Sequence, residues 1–234
     1  MTDRVALITG ASQGLGRALA EELAHAGWTL IVDARRADRL DAAVARLESR
    51  TTVVGVAGDV TDPNHRAELA RVAAAHGTVG LLVNNASTLG ASPLPELDAI
   101  DPATFLRILD VNVVAPFALV HDLGELLDEG ATVVNITSDA AVEAYRGWGG
   151  YGASKAALEH ASRVLAEERP DLRVLVVDPG DMRTEMHQDA FPGEDISDRP
   201  EPGERIPALL DLIDGDQPSG RYQLADFPRS EVTP

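Results

Sequence analysis

The chain has 234 residues, 44% of them hydrophobic, enough to bury a core without disulfides or metals. It carries 38 acidic against 20 basic residues, a formal net charge of −18. That balance repels phosphate backbones and anionic lipid, so neither nucleic acid nor a membrane surface is expected as a partner, and the absence of cysteine excludes disulfides, thiolate zinc sites and cysteine nucleophiles.

Short β-branched runs alternate with longer Ala/Leu-rich stretches at helical spacing. Residues 5–9 read as a strand, and Gly14 to Ala26 as a helix with Leu15, Ala18, Leu19 and Leu23 on one face. A second strand at 30–32 is followed by a helix over about 37–49. A third strand at 51–57 precedes a helix after Pro63, where proline suits a first turn. A fourth strand covers 79–83, and one long helix spans roughly 102–127. The second half repeats the rhythm, with strands at 132–136 and 172–177 around a helix at 151–168. From His187 to Gly203 the composition turns acidic and rich in Pro and Gly, which predicts a loop. A short helix at 206–213 and a final strand near Tyr222 to Leu224 close the chain.

Continuous apolar strands between helices predict a sheet covered on both faces. Right-handed crossovers then give a Rossmann-type, doubly wound, predominantly parallel seven-stranded α/β sheet with helices on both faces. Residues 1–234 read as one domain, with 185–205 as a substrate loop or lid. The run Val5 to Ile8 is too short for a signal-peptide core, and no later stretch reads as membrane-spanning, so a cytoplasmic protein is expected.

Between the first strand and first helix lies Thr9-Gly10-Ala11-Ser12-Gln13-Gly14-Leu15-Gly16, a G-x-x-x-G-x-G turn. Glycines there allow a tight turn and close approach of backbone to a pyrophosphate, and the helix N-terminus offers free N–H groups. The dinucleotide's identity depends on the end of the second strand, Val32-Asp33-Ala34-Arg35-Arg36. An acidic residue there would bond a ribose 2′-hydroxyl, whereas arginine accommodates a 2′-phosphate. Alternation puts Asp33 and Ala34 on opposite faces. Alignment from Gly27 makes Ala34 the residue facing the ribose, with Arg35 beside it, and favours NADP. NAD remains the alternative, with Asp33 in the acid's place.

Nineteen of the twenty basic residues are arginine; the one lysine is Lys155, four residues after Tyr151. Residues four apart share a helix face. A free phenol has a pKa of about 10, and a neighbouring ammonium would lower it toward the operating pH. Arginine's planar fork would not replace that compact charge.

Taken jointly, Thr9 to Gly16, Asp59-Val60, Asn84-Asn85-Ala86, Asn112, Ser138, Tyr151 with Lys155, and Pro179-Gly180 followed by Thr184 resemble the short-chain dehydrogenase/reductase family over essentially the whole chain. The resemblance implies an oxidoreductase moving a hydride between a nicotinamide cofactor and a carbonyl or alcohol. Tyr151 would be the proton donor or acceptor, Lys155 would tune it and hold the nicotinamide ribose, Ser138 would orient the carbonyl, and Asn112 would hold a water reaching Lys155. For the cofactor it implies Gly10, Ser12, Gly14, Leu15 and Gly16 at the phosphates and Asp59 with Val60 at the adenine. Asn85 and Ala86 would line the adenosine ribose, and Pro179, Gly180, Met182 and Thr184 the nicotinamide. A homodimer or homotetramer is implied as well.

Ser87 departs from the glycine usual after Asn-Asn-Ala, and the segment after Thr184 is shorter than is common in the family. Val142, Tyr145 and Trp148, facing Met182, Met186 and His187, suit a partly apolar carbonyl. The acidic residues Glu194, Asp195, Asp198 and Glu201 disfavour polyanionic substrates. The histidines lack metal-ligand spacing, so no metal is expected. Two other readings stand beside the reductase: a non-catalytic NAD(P)-binding sensor of the same fold, and an epimerase or dehydratase that retains its cofactor.

Overall fold

Seven strands form one sheet in the order β3-β2-β1-β4-β5-β6-β7, with every neighbouring pair parallel. They are β1 (Val5–Ile8), β2 (Thr29–Ala34), β3 (Val53–Ala57), β4 (Val79–Asn84), β5 (Leu127–Ile136), β6 (Arg173–Asp178) and β7 (Gly220–Gln223). The structure is a computed structural model and describes residues 4–227. The expected fold class is therefore correct.

Strand alternation sends the apolar side chains of the central strands to both faces of the sheet. Ala6 and Ile8 point into one core with Leu30, Val32, Leu81, Val83, Val134 and Leu175. Val5 and Leu7 point into the other with Ile31, Leu82, Val133 and Val174. Both sets are buried because helices cover both faces. Helices α1 (Gly14–His25) and α2 (Ala37–Leu47) lie on the first, joined late in the chain by α8 (Ile206–Asp214), whose Leu209 and Leu212 are fully covered. On the second face lie α3 (Pro63–His76), α5 (Ala115–Leu123) and α6 (Gly149–Glu168). Asp62 caps α3 by accepting from the Asn64 amide, with Pro63 in the first turn where its missing N–H costs nothing.

The strand order reverses between β1 and β4, and a crevice opens beyond the carboxyl ends of the strands at that point. All the chemistry described below gathers there.

Two elements differ from the sequence reading. The single helix expected over 102–127 is broken: α4 (Pro102–Leu109) and α5 are joined by a π turn, Asp110–Val114, and a 3-10 turn follows at Gly124–Leu126. π turns concentrate at functional positions, and this one carries Asn112. Pro102–Leu126, 25 residues, contains 18 consecutive residues with a mean hydropathy of 1.7, long and apolar enough by composition to cross a membrane, contrary to the expectation that no later stretch is. Here they serve as one of the covering helices, with Leu106 and Val114 turned outward at 64% and 54% exposure. Within the expected loop, α7 (Glu185–Ala190) forms because Thr184 caps it, accepting from the His187 amide.

Candidate active site

The crevice encloses about 610 Å³, within the usual range for small-molecule sites. Every residue expected to hold the cofactor or carry the reaction borders it except Gly16 and Asn112; of the expected substrate lining, Trp148, Met182, Met186 and His187 border it, whereas Val142 and Tyr145 do not and are exposed at 60% and 47%. Gly16 instead packs against the Gly10 carbonyl and the Asn85 carboxamide, where an added Cβ would come within 2.8 Å and 2.5 Å of them. The structure therefore shows it packing the turn.

The turn after β1 is braced from β4. Thr9 Oγ1 accepts from the amides of Asn85 and Ala86, and the Asn85 carboxamide donates to the carbonyls of Thr9 and Gly10 at 2.9 and 3.1 Å. Asn85 therefore spends its carboxamide donors on the turn while its residue edge lines the crevice. Ser12, Gly14 and Leu15 follow at the opening of α1, whose first amides have no intrahelical acceptor.

Asp33 and Ala34 point opposite ways, as alternation requires. Asp33 is 1% exposed, and its Oδ1 accepts from the Gly10 amide at 2.8 Å while Oδ2 lies 2.9 Å from His65 Nε2. Both carboxylate oxygens are thus committed, one to the glycine turn and one to the imidazole. Asp33, Ala34 and Arg35 all border the crevice. Of the three arginines here, Arg36 pairs with Asp38, and Arg39 bonds Gln13 and Glu185. Arg35 is exposed and makes no side-chain hydrogen bond or ion pair among the described residues. Across from it, Asp59 accepts from the amide and hydroxyl of Thr61. Partial burial works to raise its pKa, but these bonds, with Arg107 and Arg35 nearby, hold it below the ordinary value.

The opposite end of the crevice is built by α6. A Cβ on Gly152 would stand 2.5 Å from the Ala140 carbonyl, so glycine lets the helix press against the turn that carries Ser138. Tyr151 and Lys155 share the inward face of the helix, at 8% and 2% exposure. Lys155 Nζ donates to the Ile136 carbonyl at 2.8 Å and lies 5.4 Å from the centre of the Tyr151 ring. Burial pulls the Lys155 pKa down from 10.5 to about 7. Burial also pushes Tyr151 up, with Asp178 and Asp139 adding to the rise and a hydrogen bond with Ser87 opposing it. This corrects the expectation of a phenol made more acidic by its ammonium neighbour: desolvation of the phenolate outweighs every other influence.

Ser138 Oγ donates to Asp139 Oδ1 at 2.8 Å, and Asp139 Oδ2 accepts from the Tyr145 hydroxyl at 3.0 Å. Asn112 is 1% exposed and locked by its side chain. Its Nδ2 donates to the Thr88 carbonyl and to Ser154 Oγ, both at 2.9 Å, and its Oδ1 accepts from the Thr88 amide and the Ser87 hydroxyl. Ser87, which stands where glycine is usual, thus reaches both Asn112 and Tyr151. Beneath Lys155 a buried chain runs from Thr137 to Glu159, to Arg221 on β7, to Asp178, which accepts from the Gly180 amide at 3.0 Å. It fixes the loop Pro179 to Thr184 that forms the crevice's far wall.

Trp148 stands edge-on to Tyr151 with centroids 5.7 Å apart and touches Phe191 at 5.8 Å. Together with Leu89, Leu94 and Met186 they make a small apolar cluster that joins α7 to the start of α6. Sequence reasoning found Trp148 and Met186 but missed Arg39, His65, Asp139 and Phe191. Only the Thr184-Glu185 pair, a capping residue before an acidic first turn, signalled α7.

Comparison with known proteins agrees with this architecture. The short chain dehydrogenase family model matches residues 4–195. An uncharacterised oxidoreductase of Escherichia coli K12, YciK, is 31% identical over 226 residues, covering 92% of this chain and 88% of its own. Sepiapterin reductase of Meriones unguiculatus is 36% identical over 203 residues, covering 79% and 76%. The solved structure of a short chain dehydrogenase from Shigella flexneri, complexed with NADP, superposes with a TM-score of 0.86 at 28% identity, covering 96% of this chain and 98% of that one. With the glycine turn, the Tyr-Lys helix and the reversed parallel sheet all present in one chain, the protein belongs to the short-chain dehydrogenase family of NAD(P)-dependent oxidoreductases.

Proposed function

We propose that the protein is an NADP(H)-dependent reductase of a partly apolar ketone or aldehyde, with Tyr151 as proton donor. The observation that carries this reading is the meeting of Tyr151, Ser138 and Lys155 at one end of the crevice whose other end is the glycine turn. The bound nicotinamide would supply the hydride that adds to the carbonyl carbon.

The chain's own residues fit that cofactor. Arg35 offers an uncommitted guanidinium and Ala34 leaves room beside it, which suits a 2′-phosphate better than a 2′-hydroxyl. Asp33, the acid that would favour NAD, is committed to Gly10 and His65. Gly10, Ser12, Gly14 and Leu15 line the phosphates, Asp59, Val60, Asn85 and Ala86 the adenosine, and Pro179, Gly180, Met182 and Thr184 the nicotinamide end.

Reduction requires a protonated phenol, and burial keeps Tyr151 in that form. Its hydroxyl passes a proton to the carbonyl oxygen as the hydride arrives at carbon, and Lys155 below pH 7 offers the nearby positive charge that eases formation of the phenolate. Ser138 rotates its hydroxyl from Asp139 to the carbonyl oxygen. Asn112 acts at one remove, holding Ser87, Thr88 and Ser154 around the tyrosine. Residues 185–205 form the substrate lid, with α7 seated on Trp148. The outward Leu106 and Val114 provide the contact for a homodimer or homotetramer in the cytoplasm.

The test is loss of reduced-nicotinamide absorbance with a panel of ketones, aldehydes and diketones. In Tyr151→Phe, turnover should fall by at least a hundredfold while NADPH affinity stays within about twofold. Full activity in that variant would remove the proton donor; dinucleotide binding without turnover on any substrate in the wild type would favour a sensor.

A further inference from the structure

Behind the glycine turn, at the cofactor end of the crevice, lies a buried pair with no part in the reaction described above. His65, in the first turn of α3, has a side chain only 6% exposed, and its Nε2 faces Asp33 Oδ2 at 2.9 Å. The other carboxylate oxygen of Asp33 accepts from the amide of Gly10, a residue with φ of +65° at the start of the glycine turn. The Asp33 carbonyl accepts from the next amide, Ala11 N, at 2.9 Å. The ring of His65 also lies flat against Gly58, where a Cβ would come 2.1 Å from Nδ1. Gly58 immediately precedes Asp59, so one imidazole touches the end of β2, the turn before Asp59 and, through Asp33, the glycine turn.

We propose that His65 and Asp33 are positioning residues that set the shape of the glycine turn before the dinucleotide arrives, so that affinity for the pyrophosphate depends on a side chain that never touches it. This rests on the reading of the glycine turn as a cofactor site. Three features support it beyond the distances. Burying a carboxylate costs free energy that only hydrogen-bonded partners offset, and here the partners are one backbone amide and one imidazole. Burial raises the Asp33 pKa against the opposing pull of His65 and Gly10, so loss of the imidazole leaves that cost less compensated. Finally, a left-handed Gly10 has many competing conformations to lose on binding, and a fixed acceptor at its amide removes them in advance.

Because the brace acts on the pyrophosphate turn, which NADPH and NADH share, it should affect both equally, unlike Arg35, which meets only the 2′-phosphate. The experiment compares full-length wild type, His65→Leu, which has no donor, and His65→Gln, which restores one. Two quantities are read: equilibrium Kd for NADPH and NADH by fluorescence titration, and hydrogen exchange of the Gly10 amide by NMR without dinucleotide. In His65→Leu both Kd values should rise together by about tenfold, equivalent to about 1.4 kcal/mol, kcat at saturating NADPH should hold, and Gly10 should exchange faster. His65→Gln should recover most of each change. Should His65→Leu not fold, Asp33→Asn takes its place, since it leaves an oxygen for Gly10 but weakens the link to His65; both readouts should move the same way by about threefold. Unchanged Gly10 exchange, or a Kd that shifts for one dinucleotide alone, would overturn the proposal. Wild-type protein that binds neither dinucleotide would sink the cofactor reading instead, and Gly10 exchange would still decide whether the brace exists.

Discussion

Replacing Lys155 by methionine should stabilise the protein at neutral pH while ending turnover. Lys155 is 2% exposed with one hydrogen bond, to the Ile136 carbonyl. In the unfolded chain its pKa returns to 10.5, against about 7 when folded; the difference corresponds to roughly 5 kcal/mol. Between those two values the unfolded chain binds more protons than the folded one, so this group makes stability rise with pH, by at most about 1.4 kcal/mol per pH unit. At pH 7 the wild type has about 4 kcal/mol of that cost still present. Methionine removes the cost and forfeits the bond to Ile136, worth about 1–2 kcal/mol. The variant should therefore be more stable by about 2–3 kcal/mol at pH 7, and the two stability curves should converge and cross as pH approaches 10. Urea unfolding without dinucleotide, followed by tryptophan fluorescence from pH 6.5 to 9.5, measures this directly, because all other titrating groups are common to both proteins. Curves that stay parallel across that interval would refute the argument that burial, rather than a specific partner, sets the lysine's proton affinity.

Ser87→Gly removes a hydroxyl that touches Asn112 and opposes the rise of the Tyr151 pKa. In the alcohol-oxidising direction, where a deprotonated phenol is needed, the pH–rate profile should move to higher pH with a loss of about threefold at pH 8; an unmoved profile would show that Ser87 does not reach the tyrosine. Arg35→Ala should weaken NADPH by about tenfold and leave NADH unchanged, read by paired titrations; equal losses would return the 2′-phosphate to another arginine. Leu106→Glu with Val114→Glu should yield monomers by light scattering, since both residues lie on the outward face of the helices and charge opposes their burial. An unaltered mass would place any subunit contact elsewhere.

Much of this was legible beforehand, for identifiable reasons. Uninterrupted apolar runs such as Val5 to Ile8 and Val174 to Val177 announced a sheet covered on both sides. The opposed directions of Asp33 and Ala34 followed from period-two alternation alone. What escaped depended on contacts between distant residues. Arg39 meets Glu185 across 146 positions and His65 meets Asp33 across 32, and neither spacing leaves a local pattern. The π turn at Asp110–Val114 hides inside an otherwise regular apolar stretch, because one extra residue per turn barely disturbs composition. The acidic run after Thr184 obscured α7, whose six residues are too few for periodicity to register. The Tyr151 pKa went the other way from expectation because four-residue spacing reports adjacency and says nothing of how dry the surroundings are.

The solitary lysine has a practical consequence. With Lys155 enclosed between α6 and β5, the folded chain shows solvent almost no side-chain amine. Acylating reagents that label most proteins indiscriminately can approach this side chain only by way of the crevice that it borders with Tyr151 and Ser138. The kinetics of its acylation therefore report access to the reaction centre itself, with no probe attached and no background from other lysines.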